Sequence, residues 1–246
     1  MFPLEFLVLH FTPAYYGLGI PHGDGSAVVL IPGLAGLDEY MLEMYLWLDR
    51  IGYRPYFSGV GLMADCPQRL SEKLHETIGK AFVETGRRVH IIGHSLGGIF
   101  ARSAVVRWPE QIASVITLGS PFRGLVAHKL VFTVGGLVHS LIHQRDPKLP
   151  AVCGTSRCCC CFGRSLTRQW PKSVRQTAVF STIDGLVDWR FCLTGKKGVD
   201  VEVWSSHLGM VINPEVYEQI ARHLALTVRI GLEAKPKPRS KHSRKK

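Results

Sequence analysis

The sequence predicts a three-layer α/β sandwich: a mostly parallel sheet between two layers of helices, with one small insertion. Three observations lead there. Short aliphatic runs alternate with helical stretches along most of the chain, which implies parallel strands joined by crossovers. The run SAVVLI at residues 26–31 is almost wholly β-branched and aliphatic, as a strand covered on both faces must be. The chain has 246 residues, 46% of them apolar, enough to fill one sizeable core.

The elements follow in order. After 26–31 comes a Pro-Gly turn, and Asp38 is placed to cap a helix running to about Ile51. Residues 54–60 form a weaker strand candidate. Ser71 with Glu72 opens a helix that ends near Thr85, where Gly86 suits a left-handed cap. RVHII at 88–92 is a strand, followed at once by GHSLGG and a helix to about Trp108; Pro109 stops it. IASVITL at 112–118 is the next strand. Between 123 and 172 the alternation breaks down, and this region, about 123–175, is the expected insertion. QTAVFST at 176–182 and VDVEVW at 199–204 restore strands, and a helix from Pro214 to about Leu226 closes the domain. One domain over 1–234 and a basic tail over 235–246, with no apolar residue but its prolines, are the expected organisation.

The net charge of +11 is unevenly placed. The tail carries seven Lys/Arg and no acid; residues 123–180 carry nine and only Asp146, so the rest is mildly acidic. No zinc-finger, helix-turn-helix or aromatic RNA-binding motif accompanies the charge, so a nucleic-acid partner is not expected. The basic segment suits an anionic lipid surface or acidic substrate, or equally a solvated face. Residues 1–11 are apolar but contain Glu5 and no Lys or Arg, which is not the pattern of a secretory signal. That favours the cytoplasm, while seven cysteines argue the other way. Five of these fall in Cys153, Cys158, Cys159, Cys160 and Cys161; Cys66 and Cys192 lie elsewhere. Four neighbours cannot easily face one metal ion, so disulfides, some including Cys192, and reduced thiols are the main readings.

The chemistry sits in Gly93-His94-Ser95-Leu96-Gly97, a G-x-S-x-G between a strand and a helix. A serine on such a sharp turn projects its hydroxyl at the sheet's carboxyl edge, and glycines on either side avoid collisions with strand and helix. A serine hydroxyl needs a base, and the base needs an orienting carboxylate. His207, in the loop after the strand at 199–204, is the expected base. Asp184, directly after the strand at 176–182, is the expected acid, with Asp188 the rival. The amides of Leu96, after the nucleophile, and Leu34, in PGLAG after the first strand, are the expected oxyanion donors. This chemistry requires neither metal nor organic cofactor.

With PGLAG, GHSLGG, LGSPF, STIDGLVDW and SSHLG in this order, the chain resembles α/β-hydrolase-fold serine hydrolases, most closely the bacterial lipases and esterases. The resemblance covers about 26–122 and 176–226. It implies a Ser95–Asp184–His207 triad, oxyanion amides at Leu34 and Leu96, and hydrolysis of acyl or lipid esters. Pro32 stands where many such lipases have histidine, and the insertion is longer than in lidless members. Residues 125–142, rich in Leu and Val with Gly135-Gly136 as a hinge candidate, are either a lid over an acyl pocket or a helix packed on the sheet edge. The rivals are an acyltransferase or thioesterase with the same triad and a non-catalytic membrane-binding relative.

Overall fold

The computed structural model describes residues 2–124, 127–155 and 160–233; the basic tail and Cys158 and Cys159 lie outside the described residues. Six strands form one sheet: β1 (Ala27–Ile31), β2 (Arg54–Phe57), β3 (Val89–His94), β4 (Ile112–Leu118), β5 (Arg175–Phe180) and β6 (Asp200–Glu202). Their order is β2-β1-β3-β4-β5-β6, and every neighbouring pair is parallel. The helices are α1 (Phe2–His10), α2 (Leu42–Arg50), α3 (Pro67–Thr85), α4 (Leu96–Arg107), α5 (Lys129–Arg145), α6 (Cys161–Ser165) and α7 (Pro214–Glu233).

The period-two rule assigns the strand residues to two cores. Val28 and Leu30 of β1 face one side, with Ile92, Ile116 and Val179, and pack against Trp47 of α2 and Tyr217 of α7. Ala27, Val29 and Ile31 face the other, with Val89, Ile91 and Val115, and pack against Leu74 of α3 and Phe100 of α4. All five β1 side chains are fully buried, and burial of one such aliphatic side chain stabilises the fold by about 1.5–3 kcal/mol. The α/β-hydrolase expectation therefore takes physical form as two apolar layers meeting on one sheet.

Several boundaries depart from expectation for identifiable reasons. Asp38 does not cap α2: its carboxylate turns inward and accepts from Ser58 N–H and Oγ–H and from the Gly59 and Gly61 amides, fixing the loop after β2. The helix expected to open at Ser71 starts at Pro67, where the proline's fixed φ suits the first helical position. Residues 2–10, read in the sequence only as an apolar stretch without the pattern of a secretory signal, form α1, anchored by fully buried Leu9. Gly135-Gly136 is not a break, because α5 runs through both glycines without interruption. Cys192 is a buried thiol packed with Phe180 and Val187, away from the cysteine-rich loop. Burial pushes that thiol up to about 12. Among the described residues no helix is long and apolar enough to cross a membrane.

Candidate active site

Ser95 sits between β3 and α4 with φ 53° and ψ −118°, a backbone conformation that L-residues adopt only when their surroundings enforce it. The surroundings are glycines that cannot be replaced without collision. A Cβ on Gly93 would lie 2.6 Å from the Gly97 backbone, and one on Gly97 would lie 2.3 Å from the Ile31 carbonyl oxygen. The close approach of α4 to β1 and β3 is what aims Ser95 out of the sheet edge.

His207 Nε2 lies 3.0 Å from Ser95 Oγ, and His207 Nδ1 lies 2.6 Å from Asp184 Oδ2. The other carboxylate oxygen of Asp184 accepts from the Leu186 and Val187 amides at 2.9 and 2.6 Å. Both Asp184 and His207 are buried, while Ser95 is half-buried. Gly119, at φ 55°, gives them room: a Cβ there would stand 3.2 Å from both Asp184 Oδ2 and His207 Nδ1. The rival acid, Asp188, instead N-caps the short 3-10 turn Trp189–Cys192, accepting from Arg190 N–H at 3.0 Å.

The backbone of His207 is held as firmly as its ring. Its N–H donates to the Asp184 carbonyl at 3.1 Å, and its carbonyl accepts from His94 Nε2–H at 2.9 Å. Burial, reinforced by the neighbouring His207, pushes His94 down to about 3, so it stays neutral and the donating tautomer is maintained. The Tyr40 hydroxyl donates to the next carbonyl, Leu208. Neither His94 nor Tyr40 was singled out in the sequence; the G-H-S triplet alone does not reveal that its histidine supports a loop 113 residues away. Glu5 was missed too, although it is the lone acid in an apolar run. Its carboxylate accepts from Ser205 Oγ–H, Ser206 N–H and Ser206 Oγ–H, beside His207.

Leu34 and Leu96 border the same cavity as Ser95. Among the described residues neither backbone N–H donates to another group of the chain, so both remain available to a ligand. Ala35 at φ 56° turns the Leu34 loop, which is tied down by Ala35 N–H to the Met63 carbonyl. The cavity measures about 810 Å³. It is lined by Ile99 and Phe100 from the body, by Val131, Val138 and Ile142 from α5 and by Phe162 from α6. The insertion therefore faces the site. At its start, Ala127 pairs with Val187 in the acid's own loop. Further along it, Asp146 pairs with Arg69 of α3, and the Cys66 and Cys153 sulfurs lie 3.2 Å apart as a thiol–thiol contact. Leu130, Phe132, Leu137 and Leu141 of α5 are exposed.

Comparison with known proteins agrees with this architecture. A triacylglycerol lipase of Pseudarthrobacter phenanthrenivorans is 33% identical over a 106-residue alignment that covers 39% of this chain and 33% of that protein. One of Burkholderia plantarii is equally similar over 30% of its length. The chain thus spans about a third of the length of the curated relatives it matches. Among solved structures, the metagenomic carboxyl esterase MGS0156 superposes with a TM-score of 0.58 at 17% identity, covering 90% of this chain and 91% of that one. Polyneuridine aldehyde esterase gives 0.53 at 14% identity, covering 85% and 100%. These likenesses establish the α/β-hydrolase fold. The palmitoyl protein thioesterase family model matches residues 51–182, which include the Ser95 turn and end two residues before Asp184. As that match takes in more than half of the sequence, the chain belongs to the palmitoyl protein thioesterase family.

Proposed function

We propose that the chain is a serine hydrolase that cleaves acyl esters through an acyl-enzyme. The observation that carries this reading is the hydrogen-bonded line from Asp184 through His207 to Ser95 at the edge of an apolar cavity. Ser95 Oγ attacks the acyl carbon while His207 Nε2 takes its proton. Asp184 keeps the other proton on Nδ1 and stabilises the imidazolium. The carbonyl electrons move onto oxygen, where the Leu34 and Leu96 amides receive the charge; each such donor is worth about 10²–10³-fold in rate. Collapse expels the alcohol, which leaves with the proton from His207. A water then gives its proton to the same histidine and attacks the acyl-enzyme, releasing the acid and restoring Ser95.

The cavity suits the acyl portion. Its volume falls in the range of pockets for small organic ligands, and its named walls are aliphatic and aromatic. Residues 123–175 act as a cap on the body 1–234. The lipase relatives favour an oxygen ester. A thioester is the second reading, favoured by the family match, because the same triad expels a thiol with less need of protonation. The test is a chain-length series of p-nitrophenyl esters and acyl-coenzyme A thioesters on wild type and Ser95→Ala. Wild type should hydrolyse at least one series, and Ser95→Ala should lose at least about 10³-fold. Equal rates in both proteins would reject the mechanism. Recovery of transferred ester instead of free acid in alcohol-containing buffer would make the enzyme an acyltransferase.

A further inference from the structure

From the contacts of α1 we infer that Glu5 is a positioning residue for the base: its carboxylate holds the Ser205-Ser206 segment that presents His207 to Ser95. The inference rests on the triad reading above and adds a residue to it from the opposite end of the chain.

Three donors converge on this one half-buried side chain. Ser205 Oγ–H and Ser206 N–H reach Oε1 at 2.8 and 2.9 Å, and Ser206 Oγ–H reaches Oε2 at 2.7 Å. Ser205 Oγ also lies 3.0 Å from the Ser206 carbonyl, but its single proton is bound more strongly by the charged acceptor. Ser206 Oγ in turn accepts from the Gly209 N–H at 3.1 Å, so the clamp grips the loop on both sides of His207. The fit is tight. A Cβ on Gly209 would lie 2.0 Å from Glu5 Oε2, so the glycine is the space into which the carboxylate fits. Leu9, one turn along the same helix, is fully buried and keeps α1 in place.

Without Glu5, the Ser206 N–H and Oγ–H lose their acceptor and the Ser205 hydroxyl is left with the Ser206 carbonyl, so the loop is held by the His207 and Leu208 backbone bonds, by Ser205 N–H to Ser181 Oγ and by Met210 N–H to the Ser206 carbonyl. A loop that carries a general base has little tolerance. Displacement of a catalytic group by about 1 Å costs on the order of 10²-fold in rate. Glu5 touches neither Ser95 nor the cavity, so its loss should leave ground-state binding of substrate unchanged. That separates positioning from a simple fastening of α1, which would lower the folded fraction and leave the turnover of folded molecules untouched.

The experiment compares full-length wild type, Glu5→Ala, Glu5→Gln and Ser95→Ala. Turnover of p-nitrophenyl butyrate gives kcat and KM separately, and thermal melting and active-site titration give the folded fraction. Glu5→Ala should lower kcat per folded site by about 10- to 100-fold with KM within about twofold. Glu5→Gln should recover most of it, since an amide keeps one accepting oxygen and can donate to Ser206 Oγ. Wild-type kcat per folded site in Glu5→Ala overturns the inference, as does equal loss in Ala and Gln. Should Glu5→Ala not fold, Ser206→Ala carries the test: it removes the Oε2 contact and leaves α1 packing alone. A several-fold lower kcat supports the clamp, and an unchanged kcat refutes it. Wild-type turnover by Ser95→Ala would instead bring down the triad reading, a result distinct from failure of the clamp alone.

Discussion

Replacing Asp184 by asparagine separates the two aspartates of the acid loop, and its cost follows from their contacts. Asp184 Oδ1 accepts from two backbone amides, Leu186 and Val187, and Oδ2 accepts from His207 Nδ1. In Asp184→Asn the two amides still require an oxygen, so the asparagine carbonyl must face them. Its NH2 group is then forced toward His207. Facing a donor, Nδ1 has to become the acceptor, and the ring's single proton moves to Nε2. In that tautomer the imidazole cannot take the Ser95 proton. Trapping a triad histidine this way lowers kcat by about 10⁴-fold, roughly 5 kcal/mol of barrier. The fold should survive because no buried amide is orphaned. Asp188→Asn is the control. Asparagine caps a turn as well as aspartate, and the lost ion pair with Arg190 is exposed, worth about 0–1 kcal/mol of stability. The measurement is p-nitrophenyl ester hydrolysis by both variants, with melting curves alongside. An Asp184→Asn enzyme within tenfold of wild type, or an Asp188→Asn enzyme that is the poorer of the two, would refute the reasoning.

Two further predictions concern stability. His90 and His94 are pushed down to about 4 and 3, and His223 well below its ordinary value, in each case chiefly by burial. These groups stay neutral when folded but take up protons when unfolded below about pH 6.5. Their contribution is therefore complete above that pH and is lost on acidification. At pH 5 His90 and His94 each forfeit about 2 kcal/mol, a large share of a typical domain's stability, and His223 adds to the loss in the same direction. Urea midpoints at pH 7, 6 and 5 should fall steeply, and less steeply in His90→Asn; a flat profile would contradict this. Gly97→Ala should destabilise by about 1–3 kcal/mol, because its Cβ meets immobile backbone at Ile31 and Pro32. Gly79→Ala, in α3 with nothing within 4 Å, should stabilise by about 0.5–1 kcal/mol. The same urea titration checks both, and equal effects would refute the steric account.

The parts legible in the sequence are those governed by local rules. β4 was read to the residue because a short, largely β-branched and aliphatic run, IASVITL, is bounded by the polar Gln111 and by Gly119. The Ser95 turn was read because its glycines are dictated by collisions within a few residues and with the adjacent strand. The choice of Asp184 over Asp188 drew on its place directly after a strand and before a glycine; in the structure Asp184 Oδ2 lies 2.6 Å from His207 Nδ1, while Asp188 caps the turn at Trp189. What escaped depends on long-range contacts. Asp38 looked like a helix cap, yet its carboxylate is claimed by amides some 20 residues away. Gly135-Gly136 looked like a hinge, yet α5 continues through both glycines, which border the cavity. Glu5 carried no motif; its meaning lies in serines 200 residues distant.

The placement of the base on the sheet has one more consequence. His207 follows β6, a three-residue strand that terminates the sheet and hydrogen-bonds on one side only. Such a strand opens at a fraction of the free energy needed to unravel the interior. In the proposed mechanism, turnover would therefore depend on an edge of the sheet as well as on its centre, where Ser95 resides. Opening of that edge on warming would loosen the loop that carries His207 before the interior unfolds, and the His94 and Tyr40 contacts to that loop oppose it.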